Sequence, residues 1–155
     1  MFIIIHVVIY FEEIVLNDIS KIYQIEKDSF KYPWNISQIK SELIRIKNYN
    51  ICIKENNNLL AYTFCRVESD FLEIMKIAST KSLRRKGLAN LIMSKLNDFC
   101  IKKEINSIYL EVNSNNFEAI NFYKKNGFKT DSIRKNYYQK SREDAILMSK
   151  KIILL

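Results

Sequence analysis

Only two glycines, Gly87 and Gly127, occur in the 155 residues of this chain, where average usage of roughly 7% would supply about eleven. Glycine takes a left-handed backbone, or lets a backbone approach closely, at no steric cost. A chain that keeps it twice keeps it where other residues fail. Gly87 lies in Arg84-Arg85-Lys86-Gly87-Leu88-Ala89, a basic turn of small residues that opens a helical pattern. Gly127 follows Asn121-Phe122-Tyr123-Lys124-Lys125-Asn126 and precedes Phe128, at the end of a second helical pattern.

The length suits one domain with a real core. With no low-complexity tract, repeat or Gly/Ser/Pro linker, no internal boundary is placed in 1–155. The net charge of +8 would suit nucleic acid, a ribosome or an anionic cofactor. However, 19 of the 25 cationic residues are dispersed lysines, so most of the charge reads as solvated surface. Cys52, Cys65 and Cys100 lie in apolar stretches without metal-ligand spacing and read as buried free thiols of a reducing cytoplasm. The lone His6 sits in an apolar N-terminal segment too short for the ~20 residues of a membrane span. That segment also lacks the basic start and small-residue cleavage site of a signal peptide. One histidine and no cysteine pair exclude a zinc site or a Ser-His-Asp triad, and no metal is expected.

Hydrophobic periodicity and turn chemistry predict a strand over 2–13. A helix capped by Asn17-Asp18 follows, with Ile19, Ile22, Tyr23 and Phe30 on one side, then a break at Lys31-Tyr32-Pro33-Trp34. Asn35 is expected to cap a second helix reaching about residue 47. Strands over 49–55 and 59–68 flank Asn56-Asn57-Asn58, a hairpin turn. A strand over 71–79, the Gly87 turn, a helix to about 103 and a strand over 105–112 come next. Asn115 with Glu118 predicts the cap of a short helix that closes at Gly127. Strands over 128–135 and 144–153, joined by a polar turn around 139–142, complete an α/β mixed-sheet order: β-α-α-β-β-β-α-β-α-β-β.

A strand, a basic turn with glycine and then a helix is one way to hold a phosphate. The helix's first N–H groups and its positive dipole end face the anion. Gly87 and Ala89 keep the turn open, while Arg84, Arg85 and Lys86 add charge. The turn lacks the Lys-Ser/Thr of a nucleotide P-loop and the second glycines of a dinucleotide turn. A solvated basic loop ahead of an ordinary helix fits equally well.

With the later segments added, the chain resembles the GNAT superfamily of acetyl-CoA-dependent N-acetyltransferases. Arg84-x-x-Gly87-x-Ala89 is similar to the superfamily's pyrophosphate signature, and Asn116…Tyr123…Gly127-Phe128 resembles its next motif. Against this resemblance, Thr80-Lys81 stands where Asp-Pro is usual, and residues 1–8 look like an N-terminal extension. Four segments resemble the RimI type, the ribosomal-protein alanine N-terminal acetyltransferases. They are Ile25-Glu26…Phe30-Lys31-Tyr32-Pro33-Trp34, Tyr109-Leu110-Glu111-Val112, Ala119-Ile120-Asn121-Phe122-Tyr123, and Arg134-Lys135-Asn136-Tyr137-Tyr138 with Arg142-Glu143-Asp144-Ala145.

The resemblance implies the GNAT fold with a splayed central sheet, acetyl-CoA as cosubstrate and the N-terminal alanine of small-subunit ribosomal protein eighteen as acceptor. It implies Glu111 as general base, directly or through water, and Tyr123 as general acid. The pantetheine arm would lie along Ile77, Ala78 and Ser79, with Asn116 hydrogen-bonding it. The turn Arg84, Arg85, Lys86, Gly87, Leu88, Ala89 and Asn90 would hold the pyrophosphate. Tyr32, Pro33 and Trp34, with Tyr137, Tyr138, Glu143 and Asp144, would line the acceptor groove of a cytoplasmic monomer that binds neither membrane nor nucleic acid.

Read from the residues alone, Glu111 is a strand carboxylate facing away from Leu110 and Val112, Tyr123 a core aromatic, Asn116 a helix cap, and the groove residues surface aromatics and acids. Another amine acceptor (a different N-terminus, a lysine, a polyamine), a catalytically dead cofactor binder and a basic ribosome- or nucleic-acid-binding module are the rival readings.

Overall fold

The computed structural model describes residues 8–138 and 142–154. His6, the rest of 1–7, and residues 139–141 of the expected polar turn lie outside the described residues. In chain order the elements are β1 (Ile9–Glu13), α1 (Ile19–Ser29), α2 (Ile36–Leu43), β2 (Ile51–Glu55), β3 (Asn58–Val67), β4 (Phe71–Ser79), α3 (Leu88–Lys102), β5 (Ser107–Asn113), α4 (Phe117–Lys125), β6 (Lys129–Tyr138) and β7 (Glu143–Lys151), with 3₁₀ turns at Leu16–Asp18 and Lys81–Leu83. This is the order expected from the sequence. The strands form one mixed sheet in the order β1-β2-β3-β4-β5-β7-β6, in which β4 and β5 are parallel. Two compact units divide the chain: residues 1–64 with 76–92, and residues 65–75 with 93–155.

In the first unit β1, β2 and β3 form an antiparallel ladder. Asn56 and Asn57 take φ of 46° and 66°, the left-handed pair that a two-residue hairpin turn requires. All of Ile51, Cys52, Ile53 and Lys54 in β2 are buried. Lys54 is tolerated there because its ammonium meets Glu12 at 2.8 Å and Asp18 at 2.9 Å.

That pairing alters the start of α1. Asn17-Asp18 does not cap the helix as expected. Asp18, held by Lys54, accepts the Val15 N–H at 3.0 Å, and the chain enters α1 through the 3₁₀ turn. The buried face is Ile19, Ile22, Ile25 and Glu26, while Phe30 lies past the helix end. Asn35 caps α2 as expected, with Asn35 Oδ1 accepting from Gln38 N and Gln38 Oε1 accepting from Asn35 N, both at 2.9 Å. The helix stops at Leu43, short of the predicted 47. Lys47 is left-handed at φ 58°, and Asn48 Nδ2 takes the carbonyls of Leu43 at 3.2 Å and Arg45 at 2.6 Å.

In the second unit the parallel ladder runs from Phe71↔Ser107 to Ile74↔Leu110. Along β5, buried Ile108, Leu110 and Val112 alternate with Tyr109 and Glu111, the period of a half-covered strand. Met93, Leu96, Cys100, Phe128 and Met148 complete this core. The cap of α4 is Asn116, not Asn115. Asn116 Oδ1 accepts Ala119 N–H at 3.1 Å, whereas Asn115 N–H turns back to Asn113 Oδ1 at 2.8 Å. Gly127, at φ +88°, ends the helix, and Phe128 N–H closes on Tyr123 O at 3.1 Å. The three cysteines are buried and lie outside any disulfide among the described residues. No described helix is long and apolar enough to cross a membrane.

Replacing Asn35 with alanine should lower unfolding free energy by about 1 kcal/mol. The measurement is a urea midpoint at unchanged slope, and an unmoved midpoint would show that the cap carries no stability.

Candidate active site

Strand register assembles the first cluster. Glu111 on β5 pairs with Leu147 on β7, and Arg134 on β6 pairs with Ala145. Paired residues share a face, and so do residues two apart on a strand, so Glu111, Leu147, Ala145 and Arg134 point the same way. Ala145 is small and buried, and Arg134 reaches across it to place Nη1 2.5 Å from Glu111 Oε1.

Between Arg134↔Ala145 and Tyr138↔Glu143, β6 advances four residues while β7 advances two, a bulge that turns at Asn136 with φ 52°. Asp144 anchors it by accepting Asn136 N–H and Lys135 Nζ, each at 2.9 Å. These two donors hold its carboxyl below the ordinary carboxylate range. The bulge lets the Tyr137 hydroxyl donate to Glu111, which raises the Tyr137 phenol. The Tyr137 ring also lies 5.6 Å from the Arg134 guanidinium. Glu143 accepts Asn113 Nδ2 at 2.8 Å and Asn115 Nδ2 at 3.3 Å. Both acidic residues of the hairpin therefore bind within their own unit.

Tyr123 is buried on α4, its ring edge-to-face with Phe122 at 5.2 Å and Phe128 at 5.6 Å. Burial pushes its phenol far above the ordinary value, and the Cys65 and Tyr138 side chains push the same way. Tyr123 is thus a hydrogen-bond donor throughout the physiological range. The Asn116 cap commits only its Oδ1; its amide Nδ2 is the part suited to a ligand acceptor.

In the first unit the turn after β4 holds the basic motif. Arg85 and Gly87 have φ of 60° and 87°, and a Cβ built on Gly87 would meet nothing within 4 Å, so backbone conformation alone demands the glycine there. Arg85 and Lys86 are exposed. Arg84 Nη2 instead donates to Asp28 O at 2.7 Å and Ser29 Oγ at 3.1 Å, at the C-terminus of α1. Leu88, Ala89 and Asn90 form the first turn of α3. Thr80 Oγ1, just past Ile77, Ala78 and Ser79, is buried without a hydrogen-bond partner among the described residues. An orphaned hydroxyl beside a cationic turn and a helix start fits a ligand that carries phosphates and other acceptors. Among the described residues no group of three or more His, Cys, Asp or Glu side chains has the arrangement to hold a metal ion.

The loop of Tyr32, Pro33 and Trp34 is fastened by a residue to which sequence reasoning assigned no role. Glu26, with no exposure, accepts Tyr62 Oη–H at 2.5 Å and the Trp34 backbone N–H at 2.8 Å, and it lies 3.4 Å from Lys76 Nζ. That ammonium sits 3.7 Å over the Phe30 ring and 5.2 Å from Trp34. Burial draws Lys76 below its ordinary value, and Glu26 opposes the shift. The signal for Glu26 was its spacing, a carboxylate at the helical interval from Ile19 and Ile22. Arg134 lies in the segment Arg134–Tyr138 that resembles the RimI type, but nothing local in the sequence joins it to Glu111.

Residues 19–128 match the family model described as acetyltransferase (GNAT) family. The ribosomal protein bS18-alanine N-acetyltransferase of Haemophilus influenzae is 30% identical over 135 residues, covering 85% of this chain and 91% of the relative. The enzyme of that name from Escherichia coli K12 is 30% identical over 134 residues, covering 85% and 90%. The crystal structure of the Escherichia coli ribosomal-protein-S18-alanine N-acetyltransferase superposes with a TM-score of 0.87 at 27% identity over 96% of each chain. The fold, its strand order and these relatives agree, and the chain belongs to the acetyltransferase (GNAT) family.

Proposed function

We propose that this chain transfers an acetyl group from acetyl-CoA to a protein N-terminal amine, with the N-terminal alanine of ribosomal protein bS18 as acceptor. The acceptor follows from relatives of that name aligned over most of their length. The chemistry is carried by two groups of one unit: Glu111, a carboxylate clamped by Arg134, and Tyr123, a buried phenol kept protonated.

Acetyl-CoA, when bound, supplies a thioester carbonyl open to attack by an amine. Arg85, Lys86 and the amides of Gly87 through Asn90 would hold its pyrophosphate, with Arg84 bracing the turn. Backbone groups of Ile77, Ala78 and Ser79 and the Asn116 amide would hold the pantetheine arm. Glu111, directly or through water, takes the proton of the attacking nitrogen. Its two donors, Arg134 and Tyr137, fix the direction in which its remaining lone pairs point. Tyr123 donates to the sulfur as the C–S bond breaks. The burial that keeps this phenol protonated also makes it a weaker acid than the ordinary ~10, against a thiol near ~8.5. Its contribution is therefore a hydrogen bond that strengthens as charge develops on sulfur, and the sulfur leaves as the thiolate that this bond stabilises. Tyr32, Pro33, Trp34, Tyr137 and Tyr138 would contact the acceptor, and Glu143 and Asp144 would support the hairpin that carries two of them. The chain would act as one catalytic domain, a monomer, in the cytoplasm.

Tyr123→Phe should lower kcat on the order of 10²- to 10³-fold and leave the acetyl-CoA KM nearly unchanged. Steady-state kinetics on an alanine-starting basic peptide decide this, and a kcat within twofold of the unaltered chain removes Tyr123 from the mechanism. With pH, the rate should climb as the acceptor amine titrates near ~8. It should show no descending limb from Tyr123 up to about pH 10, because burial raises that phenol above the ordinary tyrosine value. A limb near pH 9 that vanishes in Tyr123→Phe would contradict the assignment. Profiling peptides by first residue, with a polyamine control, should show alanine preferred. Turnover of the polyamine but of no peptide would transfer the activity to a different acceptor.

A further inference from the structure

We propose that Glu26 is a positioning residue for acceptor recognition, fixing the Tyr32–Trp34 loop against β3 and β4 while Lys76 supplies its counter-charge. This rests on the reading of that loop as an acceptor-contacting segment. Phe30 is extended at φ −122° and ψ 139°, so the chain leaves α1 there, and it re-enters a helix only at the Asn35 cap. Between these points the loop is held by the Trp34 N–H bond to Glu26 and by the Trp34 ring, which packs edge-to-face on buried Phe64 at 5.7 Å. Glu26 also ties the loop to β3 through Tyr62 and to β4 through Lys76.

Both carboxylate oxygens are used, and the Trp34 N–H is a donor that cannot accept in return, so the site is built for the ionised form. An ion without solvent contact needs its counter-ion, and Lys76 is the cation in reach. The loop's position therefore depends on a charge pair whose carboxylate has no exposure. An apolar residue at 26 would serve the core equally well but would leave the Trp34 amide, the Tyr62 hydroxyl and the Lys76 ammonium unmatched.

Glu26→Gln keeps an acceptor for the Trp34 N–H and a partner for the Tyr62 hydroxyl, and removes only the charge that Lys76 needs. The expected result is a rise in peptide KM on the order of tenfold, with kcat and acetyl-CoA KM within about twofold. The double variant Glu26→Gln with Lys76→Met removes both charges and should recover most of the loss. A second readout is independent of catalysis. Trp34 is the only tryptophan, so its emission and its quenching by acrylamide report on the loop alone. Glu26→Gln should red-shift the emission and increase quenching, and the double variant should reverse both. Unchanged emission with unchanged peptide KM overturns the proposal. So does an equal rise in both KM values, or a loss that the double variant leaves unrepaired. If the emission responds as expected while no peptide is acetylated, Glu26 positions the loop and the acceptor reading is what fails.

Discussion

A carboxylate shut away from water persists only when each oxygen and its charge are met. Glu26 meets that demand by drawing on three separate segments, and the first unit is arranged accordingly. The end of α1, the loop before α2, the middle of β3 and the end of β4 are brought to one point by a single side chain. Lys54 imposes the same rule elsewhere in the unit: it gathers β1, β2 and the 3₁₀ entry to α1 through Glu12 and Asp18. Apolar burial of Ile22, Ile39, Ile53 and Phe64 supplies the driving force. The ionic contacts disfavour any packing that leaves one of these buried charges unmatched.

The second unit relies on register in place of buried charge. The insertion of β7 between β5 and β6 puts Leu147 opposite Glu111 and the small Ala145 opposite Arg134, on one face. A strand slip of one residue would send one member of the pair to the opposite face. The bulge held by Asp144 then adds Tyr137 to the same carboxylate. Support for the candidate base is thus distributed over three strands, and the acidic hairpin residues serve the scaffold directly.

The element order was legible because hydrophobic periodicity is strong here and the turns carry distinctive chemistry: Asn56-Asn57 for the hairpin, Gly87 and Gly127 for the helix boundaries. The α2 cap, Asn35, was legible by number, whereas the α4 cap was legible by residue type alone. The run Asn113-Ser114-Asn115-Asn116 offers four cap-forming side chains, and the hydrogen bonds of Asn113 decide among them. The early stop of α2 was hidden because Asn48 acts from beyond the helix. Within the candidate site, glycine scarcity exposed the basic turn. The commitment of Arg84 to the end of α1, and of Arg134 to Glu111, depends on tertiary neighbours far along the chain.

The bulge in β6 has a bearing on solubility as well as on the site. β6 is an outer strand of the sheet, with side chains exposed along nearly all its length. A straight, exposed border of that kind is a template on which another polypeptide can add by backbone pairing. Here the border is kinked at Asn136 and studded with Lys129, Asp131, Arg134 and Lys135. The same irregularity that aims Tyr137 inward makes the outer rim a poor partner for unwanted strand addition, so trimming it would bring aggregation together with a misdirected phenol.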